Sequence, residues 1–177
     1  MPPIFAEAVV SQPTALSGLT VAIQRRAVIS GVTVAPPAKC LGARKPPSPD
    51  VPPPKVVSSY PKPGAVVRPG LLVLRVTFDL PMSCDGMLRT ASPWRNPCPG
   101  ADREFLLSFD RKTIRTVCDL EADTQYGVWM NHDMPQHRFV SLAGLPLEPF
   151  ELTFATSSDK AIADVSEALA QDADPGP

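Results

Sequence analysis

Four cysteines (Cys40, Cys84, Cys98 and Cys118), two histidines (His132 and His137) and a scatter of carboxylates are the residues able to do chemistry here. The cysteines stand 44, 14 and 20 residues apart, and no C-x-x-C pair exists, so their spacing is unlike a zinc site. An even number in a short β-rich chain points instead to disulfides, and four cysteines allow three pairings. Cys84 closes a strand end in "TFDLPMSCDG", and Cys98 lies in the turn-rich "NPCPG". The stretch between them, Asp85 to Pro97, holds Trp94 but no long periodic run, so a Cys84–Cys98 bridge is expected to tether it. Cys118 then pairs with Cys40 or stays reduced in the core. The competing connection is Cys98–Cys118.

Both histidines fall in "MNHDMPQH", residues 130–137. Thioethers suit Cu(I) and imidazoles suit Cu(II), so Met130, His132, Met134 and His137 form a weak candidate copper set. A solvated loop joining two strands is the plainer reading, and it is preferred. Asp79, Asp85, Asp110 and Asp133 sit at strand ends or turns, where aspartate serves turn chemistry more often than calcium. Ser141 lies near His137 in sequence, but no nucleophile elbow, H-E-x-x-H pair or phosphate-cradling glycine loop accompanies it. Neither enzyme activity nor a cofactor is expected.

The elements that must position these residues follow from composition. The chain has 177 residues and a formal net charge of −1, which leaves no basic footprint for nucleic acid. No apolar run approaches the roughly 20 residues of a membrane-spanning helix. Eleven of the 23 prolines lie in the first 54 residues, six of them in "PPSPDVPPP". That stretch reads as an extended spacer with no core of its own. Residues 1–54 are thus a signal-like or disordered arm, 55–158 the folded part and 159–177 a tail. Within the arm, Arg25 and Arg26 precede a mildly apolar run from Ala27 to Ala35, the layout of a secretory signal cleaved after Ala38. A start near Val21 would shorten the unusual leader. The rival is an arm ordered by a partner. "PAKC" carries lysine where a lipobox needs a small residue, so no lipid anchor is expected. In the tail, Ala161, Ile162, Val165, Ala168 and Leu169 have helical spacing, but a solvated end is preferred.

Period-two alternation dominates the middle. "LLVLRVTFD" sets Leu72, Leu74, Val76 and Phe78 against Arg75, Thr77 and Asp79. The inward sets predicted for later strands are Phe105, Leu107 and Phe109; Ile114, Thr116, Cys118 and Leu120; Tyr126, Val128 and Met130; and Phe150, Leu152 and Phe154. With an opening strand in "PKVVSSYP", this predicts an all-β fold, an antiparallel sandwich of about seven strands. Pro81 has no N–H and keeps Leu80 extended, which ends the ladder, and Met82 is free to fill the sandwich end.

"YPKPGAVVRPGLLVLRVTFDLPM", "DLEADTQYGVWM" and "LAGLPLEPFELTFAT" appear in that order over residues 57–156. Together they resemble the bacterial Ig-like domain of the SbsA, or Big_5, type. The positions carrying the likeness are Tyr60, Gly64, Phe78, Asp79, Pro81, Met82, Tyr126, Gly144 and Phe154. The cysteines and the insert "CDGMLRTASPWRNPCPG" depart from that pattern. The resemblance implies an Ig-like sandwich in which Tyr126 anchors a corner, its hydroxyl on nearby backbone. It implies a non-enzymatic structural or binding module, exported to the periplasm or cell surface, with a protein or cell-envelope partner. Two alternatives are carried. One is a structural subunit of a virion or surface layer, its arm ordered by neighbours. The other is a periplasmic copper binder of the CopC type, a family that shares a Pro-x-x-Gly opening but has an N-terminal histidine without counterpart here.

Overall fold

The computed structural model describes residues 51–84, 86, 88–99, 105–132 and 138–172. Eight strands form in chain order: β1 (Val56–Tyr60), β2 (Val66–Val67), β3 (Gly70–Phe78), β4 (Arg89–Thr90), β5 (Leu106–Leu107), β6 (Thr113–Leu120), β7 (Gln125–Met130) and β8 (Phe150–Thr156). They make two four-stranded sheets, ordered β1-β3-β6-β5 and β2-β8-β7-β4. All pairings are antiparallel except β2 with β8. Among the described residues the fold is all-β with one short helix, α1 (Val165–Gln171).

The alternation read from sequence becomes the shared core. From the first sheet, Leu72, Leu74, Val76, Phe78, Ile114, Cys118 and Leu120 meet Tyr126, Val128, Met130, Leu152 and Phe154 of the second. β3 and β6 are paired continuously from Gly70↔Leu120 to Thr77↔Thr113, so their inward residues sit side by side. Met82 is fully buried in the same cluster. Its backbone N–H donates to Arg111 O at 2.9 Å, and Arg111 Nε donates back to Met82 O at 3.0 Å. The ladder stops at Phe78; Asp79 then accepts the Lys55 N–H at 2.9 Å, and Pro54 O accepts the Glu148 N–H at 2.9 Å. Pro54 is fully buried.

Three expectations need correction. Phe109 does not continue the inward row of Phe105 and Leu107. Ser108 Oγ donates to Asp110 Oδ1 at 2.5 Å, and that carboxylate accepts the Lys112 N–H at 3.0 Å, so a turn ends β5 after Leu107. Phe109 is left 77% exposed at its tip. The insert after Cys84 is also not short of core: Leu88, Ala91 and Cys98 are buried, and Arg89–Thr90 pair with β7.

The third concerns the tail, which docks on the outer face of the first sheet. Ile162 N donates to Pro69 O and Leu71 N to Ile162 O, each at 2.8 Å. A Cβ on Gly70 would lie 2.2 Å from Ile162 O, so only glycine admits this approach. Asp164 caps α1 by accepting the N–H groups of Ser166 and Glu167, and the Ser166 hydroxyl holds its carboxyl below the usual aspartate range. Ile162 and Ala168 pack on Val73, with Leu71 and Leu169 alongside. At the helix end, Asp172 accepts from Arg75 Nε at 2.6 Å and from Arg115 Nε at 3.4 Å. Arg75, read as an outward polar position, is therefore buried under the helix.

Asp172→Ala should remove the carboxylate that faces the Arg75 guanidinium, whose side chain is 9% exposed and keeps its bonds to the Ser58 and Thr77 hydroxyls. Breaking a buried pair costs about 3–5 kcal/mol, and release of the terminal helix into water holds the loss near about 3 kcal/mol. Urea unfolding of the variant against the parent chain measures it.

Candidate functional site

Cys98 is bonded to Cys118, with their Cα atoms 4.6 Å apart. This overturns the expected Cys84–Cys98 and Cys40–Cys118 pairs, since each needs a sulfur already used. The physical reason is the pleat: Cys118 faces the core from β6, and the chain after β4 brings Cys98 into that same core. The bridge joins the β4–β5 connection, which leans on β7 of the second sheet, to β6 of the first. Cys84 is disulfide-bonded as well, and its partner lies outside the described residues, as Cys40 does.

The copper set does not converge where it can be followed. Met130 is fully buried among the core residues of β7. His132 instead stacks on Trp129, the residue of opposite pleat, at 4.5 Å between ring centroids. Asn131 holds the base of this loop: its amide nitrogen donates to Phe139 O at 2.8 Å and Leu147 O at 2.9 Å, and its oxygen accepts the Phe139 N–H at 2.7 Å. Met134, His137 and Asp133 lie outside the described residues, as does Asp85. Among the described residues no group of three or more His, Cys, Asp or Glu could hold a metal ion. Asp79 and Asp110 are engaged in backbone capping, and hydrogen bonds from Ser108 and then Lys112 lower the Asp110 pKa. Ser141 is buried in the Ser141–Gly144 turn, where Gly144 has φ 83°.

The positions that carried the family likeness are structural. Tyr126 is buried with its ring stacked on Phe154 at 5.5 Å, and its hydroxyl accepts the Glu121 N–H at 2.7 Å. The Tyr60 hydroxyl donates to Gln171 Oε1 at 3.2 Å, which ties β1 to α1, and burial raises its pKa. Gly64 has φ 75° and donates its N–H to Thr153 O at 2.7 Å.

One arrangement had no signal in the sequence beyond a lone tryptophan. Ala91 N donates to Gly127 O at 3.0 Å, Trp94 N to Ala91 O at 2.8 Å, and Arg95 N to Gln125 O at 3.1 Å. This turn lays Trp94 on the outer face of the second sheet, over Gly127. A Cβ on Gly127 would stand 2.6 Å from Trp94 Cδ1, so glycine in the middle of β7 is what lets the indole seat there. Trp94, Gly64, Gln125, Thr153 and Ala155, with Tyr126 and Phe154, line a cleft of about 200 Å³. Beside it, Arg95 holds Glu121 through two bonds of 2.5 and 2.8 Å. Each keeps the other charged: the Glu121 pKa is lowered by its hydrogen bond to Arg95, and the Arg95 pKa raised by the same contact.

No helix among the described residues is long and apolar enough to cross a membrane. Compared with protein-family models, curated proteins and solved structures, the chain matches none.

Non-reducing peptide mapping should return a peptide joining Cys98 to Cys118 and, by elimination among four cysteines, one joining Cys40 to Cys84. Removing the first bridge with a Cys98→Ser, Cys118→Ser double variant should cost about 3 kcal/mol for a separation of 20 residues, read by denaturant unfolding. For the corner, Tyr126→Phe deletes one neutral hydrogen bond and should lower stability by about 1 kcal/mol in the same assay.

Proposed function

We propose that this chain is a non-enzymatic Ig-like module, exported to the periplasm or cell surface, that serves structure or binding through a protein or cell-envelope partner. The observation that carries the reading is strand order. In chain order, β1-β3-β6-β5 beside β8-β7-β4 corresponds to A-B-E-D beside G-F-C, the arrangement of Ig constant-type domains. The short β2 extends the second sheet next to β8. Tyr126 stands near the start of the F-equivalent strand and bonds the turn before it, as a tyrosine corner does. The disulfide differs from the Ig pattern: it links the E-equivalent strand to the C–D connection rather than B to F.

Redox chemistry supports the compartment in this reading. Disulfides persist in oxidising surroundings and are rare in reducing cytosol, and Cys84, Cys98 and Cys118 are all bridged. The Arg25–Arg26 pair and the apolar run behind it then read as the export signal, with "PPSPDVPPP" as the spacer to the module. Intact-mass measurement on protein from its natural host should find the chain cut near Ala38 in the envelope fraction. A chain retaining Met1 or Pro2 inside assembled particles would replace this reading with the assembly-subunit one.

A further inference from the structure

We propose that the Trp94 cleft is a shallow binding site for one ring of a neutral glycan. The proposal rests on the binding-module reading and names its ligand class. Its first support is placement. The inner faces of both sheets are filled by the core, yet this tryptophan is spent on the outer face, where burial of the core gains nothing from it. Glycine inside a strand is less favourable than alanine, and Gly127 stands in β7 where any Cβ would meet the indole.

The second support is the chemistry of the lining. The lining residues are Trp94, Gln125 and Thr153, small Gly64 and Ala155, and Tyr126 and Phe154, whose side chains are buried in the core. An aromatic face is electron-rich, and the C–H bonds on one side of a pyranose are its natural complement, while amide and hydroxyl groups match sugar hydroxyls in both donor and acceptor roles. No charged residue lines the cleft, and Arg95, next in sequence to Trp94, is held by Glu121. A charged ligand would find no counter-charge, so the site favours a neutral one. The volume of about 200 Å³ is below that of drug-sized pockets, which fits a single ring and weak binding.

The test uses the full, oxidised chain labelled with ¹⁵N, and the indole N–H signals of its two tryptophans. Trp129 is the internal control, because it does not line the cleft and its indole nitrogen is buried. Cellohexaose, maltohexaose and chitohexaose are titrated separately. The expected result is a saturable shift of the Trp94 signal with at least one sugar, in the millimolar range, while Trp129 stays still. A Gln125→Ala, Thr153→Val variant keeps the indole and its glycine seat, and should bind that sugar about tenfold more weakly. The proposal is overturned if no sugar shifts Trp94, if both indoles move together, or if the variant binds unchanged. It is also overturned if a peptide of residues 46–54 shifts Trp94 where the sugars do not, since a proline-rich helix is the other ligand an aromatic cleft accepts. A null titration removes the glycan and leaves the export reading standing, because that reading is decided by the intact mass of host protein.

Discussion

The uninterrupted register between β3 and β6 is the constraint on which the other parts lean. It runs from Gly70↔Leu120 to Thr77↔Thr113, and both strands are central in their sheet. Because side chains alternate, a slip of β3 by one residue would turn Leu72, Leu74, Val76 and Phe78 outward, away from Cys118 and the second sheet. The same slip would move Arg75 out from under α1 and away from Asp172. The core, the disulfide and the docked helix therefore all read one alignment.

The two faces of the first sheet are stabilised by different physics. Its inner face is apolar and shares one core with the second sheet. Its outer face is covered by a small apolar cluster around Val73, Ile162 and Ala168, closed at one edge by Arg75, Arg115 and Asp172. Burial of that carboxylate is tolerable because two guanidinium groups reach it. Val117, directly opposite Val73 on β6, stays 44% exposed, which marks where the cover ends.

Much of the inner architecture was legible from the chain because period-two alternation is a local property. Ile114, Thr116, Cys118 and Leu120 are inward as read, and so are Tyr126, Val128 and Met130. The Tyr126 hydroxyl was also assigned to backbone, where it is found. What the chain hid was decided by approach through space. Helical spacing in 161–169 says which residues share a stripe but not that a sheet face awaits them, and Gly70 is the residue that makes room. Cysteine connectivity depends on a Cα separation that no spacing encodes, so the bridge went to a neighbouring strand rather than to the nearer cysteine in sequence. Trp94 looked coreless because its seat is a missing side chain at Gly127, which reads in sequence as a weak spot in a strand. Phe109 failed for a local reason that was visible: serine and aspartate around it prefer a turn to a third inward residue.

The way the chain enters the fold has a mechanical consequence. The proline-rich arm joins at Pro54 and Lys55, and β1 then runs antiparallel along β3. A pull on the arm directed along β1 loads its ladder in shear, so the hydrogen bonds between Val56–Tyr60 and the second half of β3 resist together rather than opening one at a time. Tyr60, at the far end of that strand, is joined to Gln171 of the docked helix, which carries part of the load to the C-terminal segment. A pull applied at Lys55 is thus borne by the first sheet, while the Trp94 face on the opposite sheet stays out of the line of force.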